Sequence, residues 1–165
     1  MKLFNPTFWL KNVFQITETF LAENKIKGLM LDLDNTLSMH GSPVPEDGVC
    51  DWIKQMSGIP LVIVSNNNKE RVAPLAEKLE LPFFCFSMKP LPFGYNKALE
   101  ALHLPKKNVA AVGDQIFTDI LGGNAFRVRT ILVEPFHLEA SVTFRMKRKI
   151  ESVFFDRDYT KLETK

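Results

Sequence analysis

Short apolar runs of strand length alternate along the chain with stretches in which apolar side chains return every three or four positions. The runs predict strands over residues 28–34, 60–65, 83–86, 109–114 and 130–133, and the helical period predicts helices over 46–56, 69–79, 93–102, 115–125 and 138–149. A regular β-α-β-α series requires right-handed crossovers, which make the sheet mostly parallel and put helices on both of its faces. The chain therefore reads as a doubly wound α/β protein. In such a sheet ligands bind outside the carboxyl ends of the strands. Several predicted strands end in polar residues there: Asp32 and Asp34, Ser65 and Asn66, and Gly113 and Asp114, with Lys89 just past the third strand.

A length of 165 residues suits one compact domain. Hydrophobic residues at 45% against 24% charged exclude a disordered, collagen-like or coiled-coil chain. The net charge of +2 exerts no general pull on nucleic acid, and no nucleic-acid partner is expected. Cys50 and Cys85 form no CxxC pair or Cys/His cluster, which argues against a disulfide framework or structural zinc. A reducing, cytoplasmic location is expected. No apolar run approaches the roughly 18 residues of a membrane-spanning helix. Asn5, Lys11, Asn12 and Gln15 interrupt the N-terminus, which speaks against a cleaved signal peptide.

On an extended strand Asp32 and Asp34 face the same side, and two buried like charges need a cation or a proton between them. Oxygen-only donors favour Mg²⁺, which takes one or two carboxylates and the oxygens of a phosphate. Each piece also has a plain structural use: Asp32 and Asp34 as a strand end and helix cap, Gly113-Asp114 as an N-cap, and Ser65 to Asn68 as a polar turn. The combination is more specific. Carboxylates, a hydroxyl, amides at a helix start and a lysine point charge are the parts needed to bind and transfer a phosphoryl group.

Taken in order, Asp32-Leu33-Asp34-Asn35-Thr36, Ser65-Asn66-Asn67, Lys89-Pro90 and Gly113-Asp114 followed by Asp119 resemble the motif set of the haloacid dehalogenase superfamily of aspartyl-phosphate phosphatases, over about residues 27–135. The resemblance implies a Rossmann-like core and a Mg²⁺ cofactor. It implies that Asp32 is the phosphorylated nucleophile and that Asp34 protonates the leaving group and then activates water. Asp32, Asp114 and the backbone carbonyl of Asp34 would hold the metal, with Asp119 supporting that site. Ser65, Asn66 and Lys89 would bind the phosphoryl oxygens, with Thr36 beside them orienting the loop. Lys97 competes with Lys89 but falls inside a predicted helix, where a solvated side chain is the default. His40, His103 and His137 fall outside the set and read as surface or packing residues.

About one helix and one strand separate Asp34 from Ser65, and Ser65 from Lys89, which leaves no room for a cap domain. An uncapped cleft suits a bulky substrate: a protein, a nucleic-acid end or a lipid headgroup. Residues 1–26 carry an apolar stripe of Phe8, Trp9, Val13, Ile16, Phe20 and Leu21 near helical spacing, and read as an amphipathic segment. Residues 136–165 carry Arg145, Lys147, Arg148 and Lys149 beside aromatic residues, and read as a helix and basic tail packed on the 27–135 core. Either end could lie on an anionic membrane or simply cover the core. The arrangement is similar to capless subfamily IIIA phosphatases related to phosphatidylglycerophosphate phosphatases. That similarity implies a phosphorylated lipid headgroup as substrate, phospholipid biosynthesis as the setting, and peripheral contact with the inner membrane face. A soluble sugar phosphate, a nucleotide or a phosphoprotein is the alternative substrate, and a non-catalytic binding module the alternative of another class.

Overall fold

In the computed structural model, residues 3–136 are described. Six parallel strands form one sheet: β1 (Phe8–Leu10), β2 (Gly28–Leu31), β3 (Leu61–Val64), β4 (Phe83–Phe84), β5 (Val109–Gly113) and β6 (Arg129–Val133), in the order β1-β6-β5-β2-β3-β4. The connections carry α1 (Glu18–Glu23), α2 (Val49–Gln55), α3 (Lys69–Leu79), α4 (Pro92–Leu102) and α5 (Leu121–Phe126). A π-helical turn over Ile116–Ile120 leads into α5.

Every residue of β2, β3 and β5 is buried, because helices cover both faces of the sheet. Alternation along the strands sorts the side chains. Leu29, Leu31, Ile63 and Val112 pack with Val49 and Trp52 of α2 and Val72 and Leu75 of α3. Met30, Val62, Val64 and Ala111 pack with Tyr95, Ala98 and Leu102 of α4 and Phe126 of α5. This is the doubly wound architecture that the sequence predicts. Chain direction across the sheet reverses at β2, which pairs with β3 on one side and β5 on the other. Such a switch point opens a crevice at the strands' carboxyl ends.

The predicted strand over 28–34 stops at Leu31, and the predicted helix over 115–125 begins as the wider π turn. A larger departure lies at the N-terminus, where the apolar spacing does not give one helix. Residues 8–10 are an edge strand along β6, fixed by reciprocal bonds of 3.0 and 3.1 Å between the backbone N–H groups and hydroxyls of Thr7 and Thr130. Asn12 then caps a 3₁₀ turn and Thr17 caps α1, each side chain accepting a backbone N–H. Val13, Ile16 and Leu21 are buried in the core, so most of this stripe is occupied by packing rather than presented to a membrane. The predicted helix over 138–149, the basic cluster and His137 lie outside the described residues.

Only α2 and β3 separate Asp34 from Ser65, and only α3 and β4 separate Ser65 from Lys89, so the described residues include no cap domain. None of their helices is long and apolar enough to cross a membrane. The buried Trp52 indole N–H donates to Ile16 O at 2.9 Å and ties α2 to the N-terminal segment. Trp52→Phe leaves that carbonyl unsatisfied, so urea denaturation should show a loss of about 2 kcal/mol.

Candidate active site

Asp32 lies one residue past β2, where its N–H still donates to Val112 O of β5 at 2.9 Å. The chain then turns: Leu33 O accepts from Leu37 and Ser38 at 2.9 and 3.1 Å, and Asn35 adopts a left-handed φ of 60°. The turn ends the strand alternation expected to put Asp32 and Asp34 on one side. They line the same cleft with different partners.

Asp32 belongs to a buried cluster. Lys89 Nζ donates to Asp32 Oδ1 and to Asp119 Oδ1, both at 2.6 Å. Asp119 Oδ2 accepts from the Gln115 N–H at 3.1 Å, so both of its oxygens have donors. Asp32, Asp114 and Asp119 are all buried, and each offers an oxygen within 4.8 Å of the others. Gly113 makes the last of these approaches feasible, since a Cβ there would stand 2.3 Å from Asp119 Cγ. The wide π turn carries Asp119 back over the end of β5. Tyr95 Oη braces the turn, donating to the Thr118 or Asp119 carbonyl at 3.2 Å.

Asp34 faces Arg71 of α3, whose Nη2 donates to Oδ1 at 2.5 Å, while the Asn67 amide donates to Oδ2. Arg71 also donates to Ser38 Oγ at 3.1 Å and to the Ser42 carbonyl, which fastens the loop after Asp34. His40 Nδ1 stands 3.6 Å from Asp34 Oδ2. His40 is exposed, as expected of a surface residue, and the turn after Asp34 places it at the cleft. Arg71 and Asn67 escaped the sequence reading because nothing in α3's period marks a contact 37 positions upstream. The Asn run at 66–68 was their one visible trace.

Ser65 lies one residue past β3, is buried, and its Oγ accepts from the Asn67 N–H at 3.2 Å. Asn66 Oδ1 accepts from the Lys89 N–H at 2.7 Å and its Nδ2 donates to Lys89 O at 2.9 Å. The Asn66 amide therefore clamps the Lys89 backbone, which precedes a cis bond to Pro90. Lys97, the rival lysine, lies on α4 with its ammonium 4.5 Å above the Phe93 ring. Thr36 is fully buried and does not line the cleft, and His103 is the exposed cap residue at the end of α4.

Burial pushes the Asp32 carboxyl up to about 7, Lys89 opposing the rise and Asp119 adding to it. Burial works against the Lys89 ammonium, but Asp119 and Asp32 outweigh it and hold the proton more firmly than usual. Three buried carboxyl groups share this end of the sheet with the Lys89 ammonium. An all-oxygen donor set of this kind fits a hard divalent cation.

Residues 37–127 match the haloacid dehalogenase-like hydrolase family. The chain belongs to that family. It is 38% identical over 152 residues to the "Probable phosphatase YqeG" of Bacillus subtilis (strain 168), covering 91% of this chain and 88% of that protein. Family and relative together support a phosphatase. The fold is similar to an uncharacterized protein from Listeria monocytogenes serotype 4b (TM-score 0.56, 16% identity, 70% of this chain and 85% of that one). It is also similar to the cobalt-bound deoxy-D-mannose-octulosonate 8-phosphate phosphatase of Haemophilus influenzae (TM-score 0.52, 15% identity, 81% and 89%).

Lys89→Met leaves Asp32 and Asp119 buried without their shared cation. With EDTA present, it should cost about 3–5 kcal/mol at pH 8. Asp32 holds its proton to higher pH in the folded chain (about 7) than in the unfolded one (3.8), so its contribution to stability falls as pH rises through that interval. Removing Lys89 raises the upper bound further. The deficit should therefore shrink at pH 5, as read by urea titration at both pH values.

Proposed function

We propose that this hydrolase is a Mg²⁺-dependent phosphomonoesterase working through an aspartyl-phosphate on Asp32. The observation that carries the proposal is the Lys89 ammonium, 2.6 Å from both Asp32 and Asp119, in a buried group that also includes Asp114. An Asp32 oxygen attacks phosphorus while the bond to the substrate's alcohol oxygen breaks, and Asp34 gives that oxygen a proton. Water then attacks the acyl phosphate, Asp34 takes its proton, the bond to Asp32 breaks, and inorganic phosphate leaves. Lys89 and the Ser65 hydroxyl would hold phosphoryl oxygens, and Asn66 would act through its clamp on Lys89 as well as from the cleft wall. Thr36 would support the loop from beneath.

Asp32, Asp114 and the Asp34 carbonyl would hold Mg²⁺. Asp119, both of whose oxygens already accept hydrogen bonds, suits the supporting place beside them. The cation supplies neutralisation of the phosphoryl charge, the largest requirement of such a transfer. Arg71 and Asn67 fix the Asp34 carboxylate at the cleft, and His40 adds a third neighbour.

The substrate we propose is the terminal phosphate of phosphatidylglycerophosphate, in phospholipid biosynthesis at the cytoplasmic face of a membrane. The motif resemblance supports this, and with no cap domain among the described residues the bulk of such a substrate can stay outside the cleft.

Asp32→Asn should lower phosphate release from p-nitrophenyl phosphate at least about 10³-fold with the circular dichroism spectrum unchanged. Retained turnover would remove Asp32 as nucleophile. A panel of phosphatidylglycerophosphate, sugar phosphates, nucleotides and a phosphopeptide should give the highest kcat/KM on the lipid, and a soluble compound in first place would reassign the substrate. A cation must displace the Asp32 proton, so Mg²⁺ affinity measured by calorimetry should rise as pH increases from 5 to 8 and flatten above the carboxyl's value of about 7. An affinity independent of pH over that interval contradicts Asp32 as a ligand.

A further inference from the structure

The amino ends of β5 and β6 border an open hollow of about 470 Å³, lined by Lys106, Lys107, Arg127 and Arg129 with Thr7 and Asn124 beside them. Because all the strands are parallel, residues that lead into β5 and β6 lie at the end of the sheet opposite Asp32 and Asp114, which follow β2 and β5. The hollow is therefore separate from the cleft. Lys106 and Lys107 come from the turn before β5, Arg127 from the end of α5, and Arg129 from the first position of β6. No Asp or Glu lines the hollow, and none of the four cations pairs with a carboxylate among the described residues. Like charges gathered around one hollow repel one another, and an anion placed among them removes that repulsion.

The fold holds these cations in place. Lys106 Nζ donates to Phe126 O at 3.1 Å and stands 3.5 Å above the Phe126 ring. Arg129 Nη1 donates to Lys107 O at 2.5 Å. Each keeps further N–H groups for a ligand. Arg127 has a left-handed φ of 67° between two bonds that close α5, from its own N–H to Asn124 O at 3.1 Å and from Val128 N–H to Gly123 O at 3.0 Å. The neutral amide nearby is already used: Asn124 Nδ2 donates to Leu3 O and Asn5 O at 2.7 and 2.9 Å, and its Oδ1 accepts from Thr130 Oγ1 at 3.1 Å. What the hollow offers a ligand is positive charge.

We propose that this hollow binds a small oligophosphate anion, either inorganic pyrophosphate or the diphosphate of a nucleotide. Four cations match an ion carrying several negative charges better than a single carboxylate, and two of them are guanidinium groups, whose forked N–H donors suit phosphoryl oxygens. A concave site favours a small ligand over an extended polyanion. The aromatic ring that the cations touch, Phe126, is 5% exposed, so it offers no face on which the bases of a nucleic-acid strand could stack. The site does not depend on the phosphatase proposal, since none of these residues belongs to the catalytic machinery.

The test is isothermal titration of the full chain with pyrophosphate and with ADP, in EDTA, beside a parallel assay of p-nitrophenyl phosphate hydrolysis in Mg²⁺. Wild type should bind pyrophosphate, and the double variant Lys107→Gln/Arg127→Gln should bind it at least tenfold more weakly while hydrolysing p-nitrophenyl phosphate at the wild-type rate. If that variant does not fold, Lys106→Gln/Lys107→Gln should give the same split. Equal affinity for both probes identifies the inorganic chain as sufficient, and tighter binding of ADP identifies a nucleotide as the source. The proposal is overturned if wild type binds neither probe, or if a folded variant binds them as tightly as wild type, which would assign binding to the catalytic cleft. It is also overturned if a single-stranded oligonucleotide binds in a variant-sensitive way while pyrophosphate and ADP do not.

Discussion

One buried ammonium group organises this molecule's functional end. Lys89 lies between Asp32 at the end of β2 and Asp119 beyond β5, 2.6 Å from each, and without it two carboxylates would share a site that water scarcely reaches. Much of the nearby backbone serves this contact. Asn66 grips both the backbone N–H and the carbonyl of Lys89, and Gly113 gives up a side chain so that Asp119 can cross above it. A buried ion pair is a poor source of stability, because desolvation offsets most of its attraction. Its presence at the switch point of a doubly wound sheet is better explained by chemistry than by folding.

The same end of the sheet holds a second, separate ionic arrangement around Asp34. Arg71 comes from the first turn of α3 and Asn67 from the turn before it, so the segment following β3 fixes the carboxylate that follows β2. Two buried acidic residues with one leucine between them thus have different partners: Asp32 a lysine, and Asp34 an arginine and an amide. The proposed division of labour between nucleophile and proton carrier would draw on that difference. With no cap domain among the described residues, the bulk of a large substrate would meet surfaces beyond the cleft.

The central strands were legible because burial on both faces leaves continuous apolar runs, as in Leu29-Met30-Leu31 and Leu61-Val62-Ile63-Val64. The edge strand β1 was not, since three residues carry too little pattern to compete with the helical spacing that continues to Leu21. That Asp32, Lys89, Asp114 and Asp119 gather at one end of the sheet could be read from residue types at strand ends. Lys89 could be preferred to Lys97 from its place after β4. The partners of Asp34 could not be read, because a single turn after Leu31 breaks the alternation and reorients everything downstream. Arg71 and His40 meet Asp34 only once the helix and loop are in place.

That Asp32 and Asp114 meet around one divalent cation beside Lys89 is most directly tested by anomalous scattering from a crystal soaked in Mn²⁺. A single manganese peak is expected, with carboxylate oxygens of Asp32 and Asp114 in its coordination shell and Lys89 still bonded to Asp119. Manganese bound elsewhere, with these two carboxylates unligated at saturating metal, would contradict the geometry on which the chemistry depends.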